Sequence, residues 1–129
     1  MVLDTNVLFA GAATRGLCEA LVGVCLQGHT IVLSEHILAE LRGHLTTKLK
    51  MPGEQARRYE ELLREEAEIV EPIAPAGVAC PDPDDIPVLG TAVAGRAGAL
   101  VTGDAALLAM KKVEGIPILS PREFYDRLR

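Results

Sequence analysis

Aromatic side chains are scarce in this chain. Its 129 residues include two tyrosines, two phenylalanines and no tryptophan. Proteins that bind single-stranded nucleic acids by stacking usually place several aromatic rings against the bases. The sequence therefore does not support recognition by extensive base stacking, and any contact with a nucleic acid would depend on backbone and shape.

Long apolar runs and targeting signals are also missing. No apolar run approaches the roughly 20 residues of a membrane-spanning helix. The first residues lack the basic, apolar and small-residue pattern of a signal peptide. We expect a soluble, cytoplasmic protein with no membrane partner.

Paired cysteines are absent as well. Cys18, Cys25 and Cys80 are an odd number without a C-x-x-C pair, which fits neither a disulfide framework nor a zinc ribbon. Cys18 and Cys25 would stand two turns apart on one helix, about 10 Å along its axis, which is too far for a disulfide. We expect thiols packed in the core.

Positive charge is in deficit. Thirteen basic residues against 18 acidic ones give a net charge of −5, which argues against simple electrostatic binding of nucleic acid. If several carboxylates converge on metal ions, however, they are neutralised locally, and basic side chains elsewhere can still attract phosphates. The candidate phosphate-binding residues are Arg42, Lys48, Lys50, Arg57, Arg58, Arg64, Lys111, Lys112 and Arg122.

Apolar runs and helical periodicity alternate over a length that suits one domain, residues 1–129. Residues 11–14 and 72–84 are expected to be loops. Because helical segments separate the strands, we expect a three-layer α/β/α sandwich with a central, mainly parallel sheet of four to five strands. The predicted strands lie at 1–10, 30–33, 69–70, 99–102 and 116–119, and the predicted helices at 16–27, 34–50, 54–68, 86–94, 104–110 and 120–129.

Four acidic residues are placed to meet at one edge of this sheet. Asp4 and Asp104 follow apolar strands, Asp85 opens the helix before Asp104's strand, and Glu40 lies about a turn and a half into another helix. Ligands of such folds bind beyond the carboxyl ends of the strands. Converging carboxylates repel one another unless cations are present, and Mg²⁺ or Mn²⁺ suits oxygen ligands. Two such ions can activate water for phosphodiester hydrolysis.

Each acid also has a purely structural interpretation. Asp4 can form an Asx turn, Asp85 and Asp104 can cap helices, and Glu40 can be a solvated helix residue. Only the order and context of the four acids taken together favour a shared functional site over these structural roles.

Five motifs support that order: V-L-D-T-N-V-L at 2–8, S-E-H-I-L-A-E-L at 34–41, D-P-D-D-I-P-V-L at 82–89, V-T-G-D at 101–104 and I-L-S-P-R-E-F at 118–124. Together they resemble the PIN-domain family, in the toxin branch similar to VapC ribonucleases of toxin-antitoxin pairs. The resemblance covers essentially the whole chain. Family members usually carry a few residues before the first strand, so we expect a short first strand or a start upstream of Met1.

The resemblance implies a metal-dependent endoribonuclease that hydrolyses RNA with Mg²⁺ or Mn²⁺. It implies an antitoxin protein as partner and allows a homodimer. The implied catalytic and metal-binding residues are Asp4, Glu40, Asp85 and Asp104, with Asn6 and Thr102 as supporting polar residues. Asp82 and Asp84 compete with Asp85 for its role, and the spacing of the apolar residues that follow favours Asp85.

Other side chains have weaker interpretations. Arg15 is the basic residue nearest in sequence to Asp4 and is a candidate substrate contact. His29, His36 and His44 lack metal-ligand spacing with one another, so we expect them to be at the surface or partly packed.

Two competing functions remain. A phosphatase of the haloacid dehalogenase type would need a second aspartate at position 6, where this chain has Asn6. A catalytically silent PIN-like module that binds RNA or a protein is the second competitor, and the presence of all four acids argues against it.

Overall fold

A six-stranded sheet organises the chain, whose computed structural model describes residues 1–77 and 82–128. The strands are β1 Val2–Leu3, β2 Ile31–Leu33, β3 Ala67–Ile69, β4 Leu100–Val101, β5 Lys112–Val113 and β6 Ile116–Leu119. The helices are α1 Thr5–Ala13, α2 Leu17–Gly28, α3 Glu35–Thr47, α4 Gly53–Glu66, α5 Ile86–Ala94, α6 Ala105–Met110 and α7 Pro121–Leu128, with a 3₁₀ turn at Pro83–Asp85.

The strands are ordered β3-β2-β1-β4-β6-β5, and every pair is parallel except β5 with β6. The chain leaves β1 toward β2 on one side and returns through β4 on the other. The connections therefore diverge between β1 and β4, which is where ligands of open α/β sheets bind. The expected mainly parallel α/β sandwich is confirmed.

The strand count was underestimated. The predicted four to five strands omit β5, which pairs with β6 as a tight antiparallel hairpin. Its turn contains Glu114 and Gly115, both with positive φ. A two-residue strand has too few positions to show an alternating pattern, so the sequence did not reveal it.

The prediction of a strand through residues 1–10 was wrong. Only Val2–Leu3 is extended, and α1 begins at Thr5 and continues through the predicted loop to Ala13. The Asp4 side chain caps this helix by accepting a hydrogen bond from the Thr5 N–H at 2.7 Å. Because α1 has apolar residues on most of its faces, its sequence lacks the periodic pattern that separates a helix from a buried strand.

Two helix starts follow their sequence signals. Ser34 caps α3, accepting a hydrogen bond from the Ile37 N–H. Ser120 and Glu123 form a capping box at the start of α7, with reciprocal bonds of 3.0 and 3.1 Å.

The core lies on both faces of the sheet and includes an apolar stripe of α3 formed by Ile37, Leu38, Leu41 and Leu45. Two apolar helix residues are exposed, Val24 at 37% and Leu62 at 43%. Next to Leu62, Glu60 is buried because Arg42 and Arg64 on α3 and α4 pair with it. At this point α4 therefore buries a paired charged side chain and exposes a nearby leucine.

The thiols are partly as expected. Cys25 is buried and Cys18 half-buried, and both are free, whereas Cys80 lies outside the described residues. Within the described ranges no single helix is long and apolar enough to cross a membrane. Helices α1 and α2 taken together have the length and apolar composition of a membrane span, but the chain bends by 108° between them.

Candidate active site

The ends of β1 and β4 bring the first candidate residues together. The strands pair Val2 with Leu100 and Leu3 with Val101, and the Asp4 N–H donates to the Val101 carbonyl at 2.9 Å. Parallel strands end at the same edge of the sheet, so Asp4 emerges beside Thr102. Asp104 follows Thr102 after one turn residue.

Thr102 joins the two acids directly. Its hydroxyl donates to Asp4 Oδ2 at 2.8 Å and accepts a hydrogen bond from the Asp104 N–H at 3.0 Å. The Thr102 side chain is fully buried, so this bridge is shielded from water and fixes one acid relative to the other.

Asn6 completes the bridge from the first turn of α1. Its Nδ2 lies 3.3 Å from both Asp4 Oδ2 and the Thr102 hydroxyl, and its Oδ1 accepts from the Gly103 N–H at 2.9 Å. The amide therefore orients the Asp4 carboxylate and holds the turn that carries Asp104.

Asp4 has an electrostatic environment that disfavours its charge. Only 5% of Asp4 is exposed, and burial raises its pKa. Hydrogen bonds from Thr102 and the Thr5 N–H oppose the shift, whereas the nearby Glu40 and Asp104 carboxylates add to it. The net pKa of Asp4 is raised, which is the condition that a bound cation would relieve.

Glu40 approaches Asp4 from α3. The hydroxyl of Thr5, the residue next to Asp4, donates to Glu40 Oε1 at 3.2 Å. Glu40 is therefore turned toward the edge of the sheet, and its charge influences the pKa values of both Asp4 and Asp85.

Asp85 approaches from a second helix, α5. It stands at the start of α5 but makes no capping hydrogen bond with its side chain, whereas Asp82 caps the 3₁₀ turn through the Asp84 N–H. Burial raises the pKa of Asp85 to about 6, and the charges of Asp104, Asp82, Asp4 and Glu40 contribute. The charges of the other three candidate acids therefore act on the Asp85 carboxyl group.

Asp104 has a structural task as well. Its Oδ1 caps α6 by accepting from the Ala106 N–H at 2.9 Å. The expected cap is thus present, and it fixes the carboxylate at the end of β4 close enough to act on Asp4 and Asp85.

The donor set consists of hard oxygen ligands, which suit Mg²⁺ or Mn²⁺. Among residues 1–77 and 82–128, no three histidine, cysteine, aspartate or glutamate side chains form a compact group ready to enclose an ion. Mg²⁺ commonly binds through one or two carboxylates and keeps several water ligands. The residues present fit an ion of that kind.

Several of the candidate phosphate-binding side chains form ion pairs with acidic residues. Arg42 and Arg64 pair with Glu60, and Arg64 also binds both oxygens of Glu35 at 2.6 Å. Arg58 pairs with Glu54 and Arg122 with Asp126. These ion pairs compete with phosphate binding by the same side chains.

Arg15 is not brought to the acids. It follows the far end of α1, and nine helical residues span about 14 Å. Its proximity to Asp4 in sequence therefore does not become proximity in space.

Sequence reasoning missed two contacts of Glu40. Thr5, beside Asp4, donates to it, and His36, one turn earlier on α3, has its Nε2 3.2 Å from Glu40 Oε1. The i,i+4 spacing of His36 and Glu40 was the available signal, because such residues share a helix face.

The comparisons with known proteins agree on the fold. A family model described as "PIN domain" matches residues 1–106. A chain in the crystal structure of VapBC2 from Rickettsia felis, bound to a DNA fragment from their promoter, is 19% identical in sequence to this chain. The two structures superpose with a TM-score of 0.63. The alignment covers 92% of this chain and 96% of that one. A search of curated proteins gave no significant match.

Proposed function

Because the chain belongs to the PIN domain family, we propose that it is a divalent-metal-dependent endoribonuclease and the toxin of a toxin-antitoxin pair. The proposal joins the family membership to the chemistry of the four acids. The metal, the RNA substrate and the partner are all parts of the proposal.

The observation that carries the proposal is the bridge between Asp4 and Asp104. Thr102 bonds to both residues across the β1 and β4 ends, in the position where open α/β sheets bind ligands. Glu40 lies close enough to this bridge to raise the pKa of Asp4, and the charges of Asp4, Asp104 and Glu40 all help to raise the pKa of Asp85. A phosphatase with a second aspartate at position 6 is not supported, because Asn6 stands there and its amide is bonded to Asp4 and Gly103.

The residues have separable tasks in hydrolysis. Bound Mg²⁺ or Mn²⁺ would supply an activated water and stabilise the leaving oxygen. Asp4, Glu40, Asp85 and Asp104 would hold the ions. Thr102 and Asn6 keep the Asp4 carboxylate in one orientation, and the burial of Thr102 keeps water from competing for its hydroxyl.

A protein partner is proposed from the structural neighbour. That crystal structure is of VapBC2 bound to a DNA fragment from their promoter, and the alignment covers 92% of this chain and 96% of the matched chain. We expect an antitoxin encoded by a small adjacent gene. Light scattering of the chain alone and after co-expression with that gene's product should show a defined complex, and it will also show whether the free chain is a homodimer.

The central experiment is cleavage of a mixed-sequence, end-labelled RNA with and without Mn²⁺ or Mg²⁺. We expect cleavage that EDTA abolishes and that Asp4→Asn and Asp104→Asn each reduce by at least about a hundredfold, since each substitution removes a charged oxygen ligand. Ion binding is measured by calorimetry on the same proteins.

The matched control is Glu61→Gln, which removes one carboxylate from an exposed position of α4. It should cleave like the wild type. Wild-type protein that binds no divalent ion would refute the nuclease mechanism. Wild-type protein that binds RNA tightly without cutting it in either ion would instead favour the silent RNA-binding module.

A further inference from the structure

His36 stands beside the candidate site without a role in the four-acid scheme. It lies on α3 one turn before Glu40, and the side chains of the two residues are 30% and 35% exposed. The His36 Nε2 is 3.2 Å from Glu40 Oε1. Nevertheless this nitrogen is buried and makes no hydrogen bond within the described part of the chain.

The neighbours of the pair explain why the imidazole faces Glu40. Glu35, the acid next to His36, has both carboxylate oxygens bound by Arg64 at 2.6 Å. Thr5 donates to Glu40 Oε1 and holds that oxygen in place. A buried nitrogen without a hydrogen-bond partner is costly, so an additional group between Nε2 and the carboxylate would stabilise this arrangement.

The separation fits two ligands of one metal ion. In an octahedral complex with bonds of about 2.1 Å, adjacent ligand atoms lie roughly 3 Å apart. The N···O distance of 3.2 Å matches that edge. Residues at i and i+4 also share one helix face, which is the spacing that helical metal-binding motifs use.

We propose that His36 is a nitrogen ligand that shares an ion with Glu40 and makes the site select first-row transition ions, such as Mn²⁺ and Co²⁺, over Mg²⁺. Imidazole nitrogen binds transition ions well, whereas carboxylate and water oxygens suit Mg²⁺. The proposal rests on the proposed metal-dependent function and specifies the class of ion. It turns an otherwise all-oxygen site into a mixed nitrogen and oxygen site.

The test is calorimetric binding of Co²⁺ and of Mg²⁺ to the wild type, His36→Ala and His29→Ala. His29 is an exposed histidine at the end of α2 and serves as the matched control. We expect His36→Ala to weaken Co²⁺ binding by about tenfold or more while Mg²⁺ binding changes by less than about twofold. His29→Ala should leave both affinities unchanged. Thermal melts without ions verify that each variant is folded.

A spectroscopic measurement provides an independent readout. Nitrogen hyperfine coupling in the electron paramagnetic resonance spectrum of bound Mn²⁺ should be present in the wild type and lost in His36→Ala. Nitrogen coupling that persists unchanged in this variant would contradict the proposal.

The outcomes separate this inference from the proposed function. If the wild type binds neither ion, the metal-dependent function fails and the role of His36 fails with it. If Asp104→Asn weakens binding of both ions but His36→Ala leaves the ratio of Co²⁺ to Mg²⁺ affinity unchanged, only the role of His36 is overturned.

Discussion

At the residue scale, the site depends on side chains that have both a structural and a chemical task. Asp4 caps α1 with Oδ1 and faces Thr102 and Asn6 with Oδ2. Asp104 caps α6 with one carboxylate oxygen. The capping and functional interpretations of these acids are therefore compatible, because a carboxylate has two oxygens and about four acceptor sites.

Thr102→Val tests the bridge between Asp4 and Asp104. Valine keeps the shape but removes the hydroxyl, so Asp4 loses a donor and the Asp104 N–H loses its acceptor. We expect the free energy of unfolding to fall by about 1–3 kcal/mol. Mn²⁺ affinity should fall by about tenfold, since the bridge orients a ligand. Chemical denaturation and calorimetry measure the two effects.

Thr102→Ser is the control for this substitution. It retains the hydroxyl and should keep metal affinity close to that of the wild type. A valine variant that binds Mn²⁺ as tightly as the serine variant would show that the bridge has no part in positioning Asp4.

Asp85→Asn tests whether the charge of Asp85 destabilises the fold when no metal ion is bound. Because the folded protein raises the pKa of Asp85 from 3.8 to about 6, the protonated carboxyl group contributes stability that is complete below about pH 4. This contribution is lost as pH rises through 6. In EDTA at pH 7.5 the asparagine variant should be more stable than the wild type by about 1 kcal/mol, after allowance for solvent screening.

The pH dependence provides the control for Asp85→Asn. At pH 4 in EDTA the two proteins should unfold at nearly the same denaturant concentration. A stability difference that is equal at pH 4 and pH 7.5 would trace the effect to packing rather than to charge.

The sequence was informative about the acids and uninformative about their contacts. Asp4 and Asp104 were predictable because parallel strands end at one edge of a sheet. The contact of Thr5 with Glu40 depends on how α3 is rotated about its axis against α1. That rotation is set by packing of both helices, which no local pattern specifies.

At the element scale, α5 is the element that places Asp85, and it packs on the sheet through glycines. A Cβ at Gly95, the C-cap of α5, would overlap Val32 Cγ1 on β2. At Gly90 a Cβ would come within 3.0 Å of the Ile73 carbonyl oxygen, whose residue also donates its N–H to the Gly90 carbonyl. Close approach of α5 to its neighbours therefore requires these small residues.

Gly95→Ala tests this packing. Val32 is buried in β2, so it cannot move away freely. We expect a loss of about 1–3 kcal/mol in the free energy of unfolding, the usual cost of overpacking. Gly98→Ala is the matched control, because no atom lies within 4 Å of its added Cβ, and its stability should change by less than about 1 kcal/mol. Equal losses in the two variants would contradict close packing at Gly95.

The first element shows where sequence reasoning fails. Residues 1–10 are apolar enough for a buried strand, yet the chain turns into α1 directly after Leu3. The deciding signal was Asp4, whose carboxylate is a favourable N-cap. Asp4, a candidate metal ligand, is therefore also the residue at which β1 ends and α1 begins.

At the scale of the whole molecule, charge is distributed unevenly. Several arginines on α3 and α4 are paired with Glu35, Glu54 and Glu60. The four acids of the candidate site have no arginine or lysine partner among the ion pairs of the described residues. Part of the net charge of −5 is therefore concentrated at the edge where β1 and β4 end.

This distribution predicts that divalent ions stabilise the whole fold. An ion that binds only the folded protein adds about 2.7 kcal/mol at a concentration about one hundred times its Kd. For a domain of this size that corresponds to a rise in Tm of roughly 10 °C. Differential scanning fluorimetry with Mn²⁺, against K⁺ at equal ionic strength, separates binding from screening. Asp104→Asn should lose most of the rise, because it removes a ligand of the ion, whereas Glu61→Gln should retain it. An equal rise in Asp104→Asn and wild type would mean that the ion stabilises the protein at another place.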